Sequence, residues 1–441
     1  MTKLRHASIL VRRAALAAAF LTSISGAATP PIDSSLPAFP GAQGWAASTP
    51  GGRGGQIIKV TTLAASGPGS FREAVETKGP RIVVFEVGGV IDLARSVIRI
   101  SEPYLTIAGQ TAPSPGITLV RGGIDLSGHD VIIQHIRVRP GSGELARFSW
   151  DTDGISTIGA HDVIVDHCSL TWATDENLSA SGPRFTGSTP DEWRAGTSHR
   201  ITFSHNIIAE GLARSTHPKG EHSKGSLIHD NVTDILLINN LYAHNMERSP
   251  LFKGGVRGAV INNLVYDPGQ KAMHYNLIAE EWGDHVYQTG RMTLIGNVLR
   301  AGPSTPAETA LFAHGGSGDV ELYLNDNIAV DRLGRPLPLT SRYTTGRAKV
   351  IELKQRPALP ANITILSSID VQDAVIKTVG ARPWDRDAID VRIVADTIEA
   401  RGGIIDSEAD VGGYPTQAPT RAVFNAAEWD LRYMTRINGA F

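Results

Sequence analysis

The residues best suited to chemistry crowd into Asp151–Glu176, DTDGISTIGAHDVIVDHCSLTWATDE. Asp151 and Asp153 stand two apart, which on an extended strand aims both carboxylates at one face. A short apolar strand, Val163-Ile164-Val165, leads through Asp166-His167 to Asp175-Glu176. If the chain folds back so that the two acidic ends lie side by side, three or four carboxylates converge. That arrangement suits a hard cation with oxygen ligands, above all calcium. Acids at loop ends are also commonly just solvated, so the architecture around them has to decide.

Two further clusters follow. Ser215–Gly225, STHPKGEHSKG, sets Lys219, Lys224, His217 and His222 beside glycines, a composition that suits anionic groups or a solvated loop. A zinc site built on His217 and His222 lacks an HExxH or cysteine partner. In Glu247–Gly255, ERSPLFKGG, Arg248 and Lys253 lie five apart around a proline that holds the backbone extended and separates their directions. An arginine after a strand is, by itself, commonly a surface ion-pair partner. His135, His167 and His205 sit at strand ends and are read as structural links between neighbouring turns.

The elements that must position these groups repeat. Leu105–Gly109 begins a series continued by Val131–Ile136, Val163–Cys168, Ile201–Asn206, Ile235–Asn240, Ala259–Asn263, Met292–Asn297 and Leu322–Asn327. With Ile136, Cys168, Asn206, Asn240, Asn263, Asn297 and Asn327 taken as equivalent, the steps are 32, 38, 34, 23, 34 and 30 residues. One short β-rich unit per step, with no helical pattern between, marks a solenoid. Asparagines at the same place in successive turns can bond to one another along the axis, as in other stacked strands. The pattern predicts an all-β parallel β-helix, with the longer steps carrying loops and the loops carrying binding chemistry. Ser66–Val75 reads as a turn leading into a short helix. Asp385–Arg401 has helical spacing and should pack as a terminal cap. The expected organisation is a signal peptide over 1–27, a β-helix over 28–365 and a C-terminal segment over 366–441 packed on it.

Composition limits the function. Lys3, Arg5, Arg12 and Arg13 precede an apolar run, Ala14–Ile24, and a small-residue site at Ser25-Gly26-Ala27, the pattern of an export signal too short to span a bilayer. Its removal would take the basic residues from 42 to 38 against 44 acidic ones, a net charge of −6. Such a chain has no electrostatic reason to seek nucleic acid or an anionic membrane. The single cysteine, Cys168, excludes an internal disulfide, so stability must come from a large core.

Several of these segments together resemble the pectate lyase family (polysaccharide lyase family 1): AFPGAQG at 38–44, GGRGG at 51–55, SGPGSFREAV at 66–75, TIAGQTAP at 106–113, Val165–Ser169 (VDHCS), and Arg248-Ser249-Pro250. The resemblance covers about residues 38–330. It implies a right-handed, single-stranded parallel β-helix, secreted or periplasmic and monomeric, that cleaves polygalacturonate by β-elimination with Ca2+. Carried over residue by residue, it makes Asp153 a metal ligand, with Asp151, Asp175 and Glu176 completing the site. Arg248 becomes the Brønsted base. Lys219, Lys224, His222 and Lys253 become substrate-binding groups, with Lys219 preferred as the principal lysine. Lys253 stands where the family usually has arginine, and a lysine cannot make a bidentate fork to a carboxylate. An arginine base implies activity that rises above neutral pH. Two other readings compete: a β-helical glycoside hydrolase using Asp153 and Asp175 as an acid/base pair, and a non-catalytic polysaccharide-binding β-helix.

Overall fold

The structure, a computed structural model, describes residues 36–439; the expected signal peptide lies outside them. The chain winds through three stacked parallel sheets, visiting them in a fixed order on every coil. The first sheet has eleven strands, from Gln56–Val60 to Val350–Glu352. The second has ten, including an antiparallel end strand, Thr420–Arg421, that pairs with Val87–Asp92. The third has nine, from Ile98–Ile100 to Thr340–Arg342. This is a parallel β-helix.

The alternation of side chains along each strand explains the core. In His161–Asp166, Val163 and Val165 point inward, stacked on Val131 and Ile133 of the coil before and Ile201 and Phe203 of the coil after. Ile164 points outward, where the segment around Ala38–Ala47 covers it. Farther along, the outward residues Leu236, Ile238, Ala259, Ile261 and Ile295 are covered by Trp45, Leu359 and Ile363. The outward face of the second sheet is covered by two helices, α1 (Ser368–Thr378) and α2 (Ala388–Glu399). Their Val371, Val375, Ile389 and Ile393 pack on Ile207, Leu241, Leu264 and Val298. No third-sheet residue belongs to the apolar clusters under these covers.

The expected asparagine stack is present. Asn206, Asn240, Asn263 and Asn297 each donate a side-chain N–H to the Oδ1 of the next asparagine, at 3.0, 2.9, 3.1 and 3.0 Å, ending on Asn327. Each also donates its backbone N–H to the same oxygen. At the near end the Cys168 N–H reaches Asn206 Oδ1 at 2.8 Å. Burial pushes the Cys168 thiol up to about 12, so it stays protonated as part of the core.

The histidines at the strand ends also stack: His135 on His167 at 5.1 Å and His167 on His205 at 4.5 Å. Buried Asp166 bonds His167 Nδ1 at 2.7 Å and His205 Nδ1 at 3.1 Å, and accepts from Gln134 and Ser204. The set links neighbouring coils, and Asp166, His167 and His205 bring ligand atoms within 4.8 Å of one another. The cap is joined to the coils by buried charge: Arg139 donates to Asp390 at 2.7 Å, and Arg137 Nε lies 3.3 Å from the same carboxylate. The predicted helix over 385–401 is found as α2, while α1 was not anticipated.

Candidate active site

The groove forms where the chain leaves the second sheet and enters the third. Glu176, Lys224 and Glu247 hold the same position in three successive coils, each bridged in parallel to the next. Ile155 pairs with Leu178, and the Gly154 N–H donates to the Glu176 carbonyl, which sets Asp153 beside Glu176 in the same column. Charge along the column therefore runs negative, negative, positive, negative.

Around it lies a cavity of about 440 Å3 lined by Asp175, Glu176, Lys219, His222, Glu247, Arg248, Lys253, Lys271, His274, Glu281 and Tyr343. Asp153, Asp175 and Glu176 each place a carboxylate oxygen within 4.8 Å of the other two. The two ends of the acidic segment thus fold together, and three of the four acids at those ends converge. Asp151 does not join that group: it is half-exposed, with Oδ2 4.0 Å from His217 Nε2.

The environment drives the acids apart in character. Burial raises the Asp153 carboxyl well above its usual value, and the Asp175 charge adds to this. Burial pushes Asp175 the same way, but the hydrogen bond from His222 and the charges of His222, His217 and Arg248 outweigh it and leave it lowered. His222 Nε2 meets Asp175 Oδ1 at 2.7 Å, and the His217 ring stacks on His222 at 3.6 Å. His217 accepts the Lys219 backbone N–H on Nδ1 at 3.0 Å, so its other nitrogen carries the proton and faces Asp175 Oδ2 at 3.6 Å. Both histidines thus support Asp175, and Asp175, His217 and His222 also bring ligand atoms within 4.8 Å of one another. Three carboxylates with only oxygen donors, one of them strongly disfavoured as an anion, fit a hard divalent cation.

Arg248 has a positive φ of 63°, a costly conformation for a residue with a Cβ, and it turns the guanidinium into the groove. There Nη1 contacts Glu176 Oε1, while Nε is buried without a hydrogen-bond partner. Burial lowers the Arg248 guanidinium from its usual value, against the opposing pull of Asp175 and Asp153.

The two candidate lysines differ. Lys219 is exposed on its loop, whereas Lys224 is buried, with Nζ 2.6 Å from Glu247 Oε1. Lys253 is buried and pairs with Glu281, which also holds Arg184 at 2.8 Å. Glu247, Lys271 and His274 gained no role from the sequence. Glu247 sits between Lys224 and Lys271, and with His274 these bring its carboxyl down to about 2 against the opposing effect of burial. Only the coil register brings these three to Lys224, so local spacing carried no signal for them.

A parallel β-helix with an acid-lined, cation-suited groove rimmed by Arg and Lys is the architecture of an enzyme acting on an anionic polymer. No protein-family profile matches the chain. Curated relatives do. The probable pectate lyase C of Aspergillus flavus is 32% identical over 396 residues, covering 86% of this chain and 82% of that protein. The probable pectate lyase C of Aspergillus terreus is 34% identical over 388 residues, with the same coverage. Among solved structures, Jun a 1, the major allergen from cedar pollen, matches with a TM-score of 0.54 at 15% identity, over 77% of this chain and 92% of that one. A thermostable pectate lyase matches with a TM-score of 0.53, also at 15% identity, over 77% and 97%. The two structures establish the fold. The relatives establish that the chain belongs to the pectate lyase family, polysaccharide lyase family 1, and is a lyase.

Proposed function

We propose that the protein is a secreted pectate lyase that cleaves polygalacturonate by Ca2+-assisted β-elimination, leaving a 4,5-unsaturated uronate. The observation that carries this is the meeting of Asp153, Asp175 and Glu176 with Arg248 in one groove. Asp153, Asp175 and Glu176 would hold the cation, with Asp151 at the rim. The cation, when bound, supplies positive charge to the substrate carboxylate and so acidifies the neighbouring C5–H.

Lys219 lines the cavity from its exposed loop and serves as the principal substrate lysine. Lys224, buried against Glu247, adds positive charge to the column beneath the groove. His222 fixes Asp175, and Lys253 closes one end of the groove. Arg248, deprotonated under alkaline conditions with its burial favouring the neutral form, takes the C5 proton; the C–H electron pair forms the C4–C5 double bond, the C4–O bond breaks, and the departing oxygen takes a proton from solvent as the next sugar leaves. The strained backbone of Arg248 and its enclosure pre-aim the base, so little reorganisation accompanies the transfer.

The hydrolase reading is disfavoured by kinship: the curated relatives covering most of the chain are named as pectate lyases. Ultraviolet absorbance from the unsaturated product is the test. Reducing ends formed without that absorbance would establish hydrolysis instead.

A further inference from the structure

A second cavity, of about 360 Å3, lies on the outward face of the first sheet. Its floor is built by register: Thr233, Arg257 and Arg291 pair in sequence across three successive coils. Trp45 from the N-terminal cover and Leu359 from the segment after the last coil form walls, with Asp234 beside the floor. Trp45 is half-buried on the apolar cluster of Leu236 and Ile261 and still lines the cavity.

The charges here are not used up by the fold. Arg291 is paired with Glu321, and one coil before Thr233 on the same face Arg200 is paired with Asp162. The Arg257 guanidinium makes no hydrogen bond or ion pair among the described residues, and its Nε is buried without a partner. A half-buried guanidinium left this way is costly unless something binds it. Asp234 lies near enough to feel its charge but does not pair with it.

We propose that this cleft is a second binding site for uronate oligosaccharide, separate from the catalytic groove. Arg257 receives a sugar carboxylate as a charge-assisted pair. Trp45 packs against the apolar face of the pyranose ring, and Asp234 and Thr233 accept or donate to hydroxyls. The choice of a uronate among anionic sugars rests on the proposed activity. A polymer held here while another stretch occupies the groove raises the effective concentration of substrate at the groove.

The test is affinity electrophoresis of the full-length protein through gels containing polygalacturonate and a chelator, so that turnover is suppressed. Trp45→Ala, Arg257→Ala and the closer mimic Arg257→Gln are compared with the parent chain. Loss of one charge-assisted contact should weaken polymer binding about tenfold, while calcium-dependent turnover of trigalacturonate stays unchanged and reports an intact fold and groove. Equal retardation of parent and variants overturns the proposal. So does a parent chain retarded no more by polygalacturonate than by neutral dextran. Absence of trigalacturonate turnover in the parent would instead strike the proposed activity, and the retardation would still judge the cleft.

Discussion

Arg248 is the residue on which the chemistry turns. It reaches the acidic cluster from the coil two turns along, through a backbone conformation that costs about 1–2 kcal/mol for an L-residue. Arg248→Ala should lower kcat by about 10²–10⁴-fold, the range for a positioned acid–base group, without lowering the melting temperature. Product absorbance and a thermal melt on the same sample check both halves. Lys219→Ala removes the lysine that lines the cavity and should raise KM more than about tenfold. Lys224→Ala leaves Glu247 short of a partner and should act on stability, changing KM by less than about threefold. The reverse ranking in steady-state assays would move the principal role to Lys224. Arg248 and the convergent acids could be found from the sequence because they sit in contiguous motifs. Glu247, Lys271 and His274 could not, because their meeting depends on register across coils.

At the scale of elements, buried polar ladders hold the coils and the cap in place. Asn263 lies inside the asparagine stack, bonded on both sides. Asn263→Ala leaves buried partners unsatisfied and should cost about 1–3 kcal/mol, read from denaturant unfolding. Asp390 ties α2 to Arg137, Arg139 and Ser169. Asp390→Ala strands buried guanidinium charge and should cost about 3–5 kcal/mol. The ladder was legible because one asparagine per coil repeats at solenoid spacing. α2 was legible from its helical period, although Val391 and Ile398 are exposed and Ile389 and Ile393 join Val394 on the packed face. α1 was not: Ile369 and Ile376 beside Val371 and Val375 blur its period, and the sheet face that stabilises the helix is remote in sequence.

For the whole molecule, the apolar core and the asparagine ladder hold the coils together without contact with the proposed metal. A chelator should therefore abolish turnover while the far-ultraviolet circular dichroism spectrum stays the same. Acid acts differently. Charges and hydrogen bonds from His167 and His205 overcome burial and hold Asp166 well below its usual value, and Arg139 likewise lowers Asp387. A carboxyl depressed in the folded state contributes stability that is fully present above its unfolded value, near pH 4, and is lost as pH falls through the folded value. The melting temperature should therefore hold steady from pH 7 to about 5 and decline steadily below about 4. Asp166→Asn should flatten part of that decline. A melting temperature insensitive to acid would show that these ladders contribute little.

The most direct test of the whole account is the ultraviolet absorbance of polygalacturonate incubated with the protein, first with calcium and then with excess chelator. The account predicts a rise with calcium, its loss with chelator, and a rise about 10²-fold slower or more with Arg248→Ala. Turnover that persists in chelator, or at the parent rate in Arg248→Ala, would contradict the assignment of the acidic cluster and of the base.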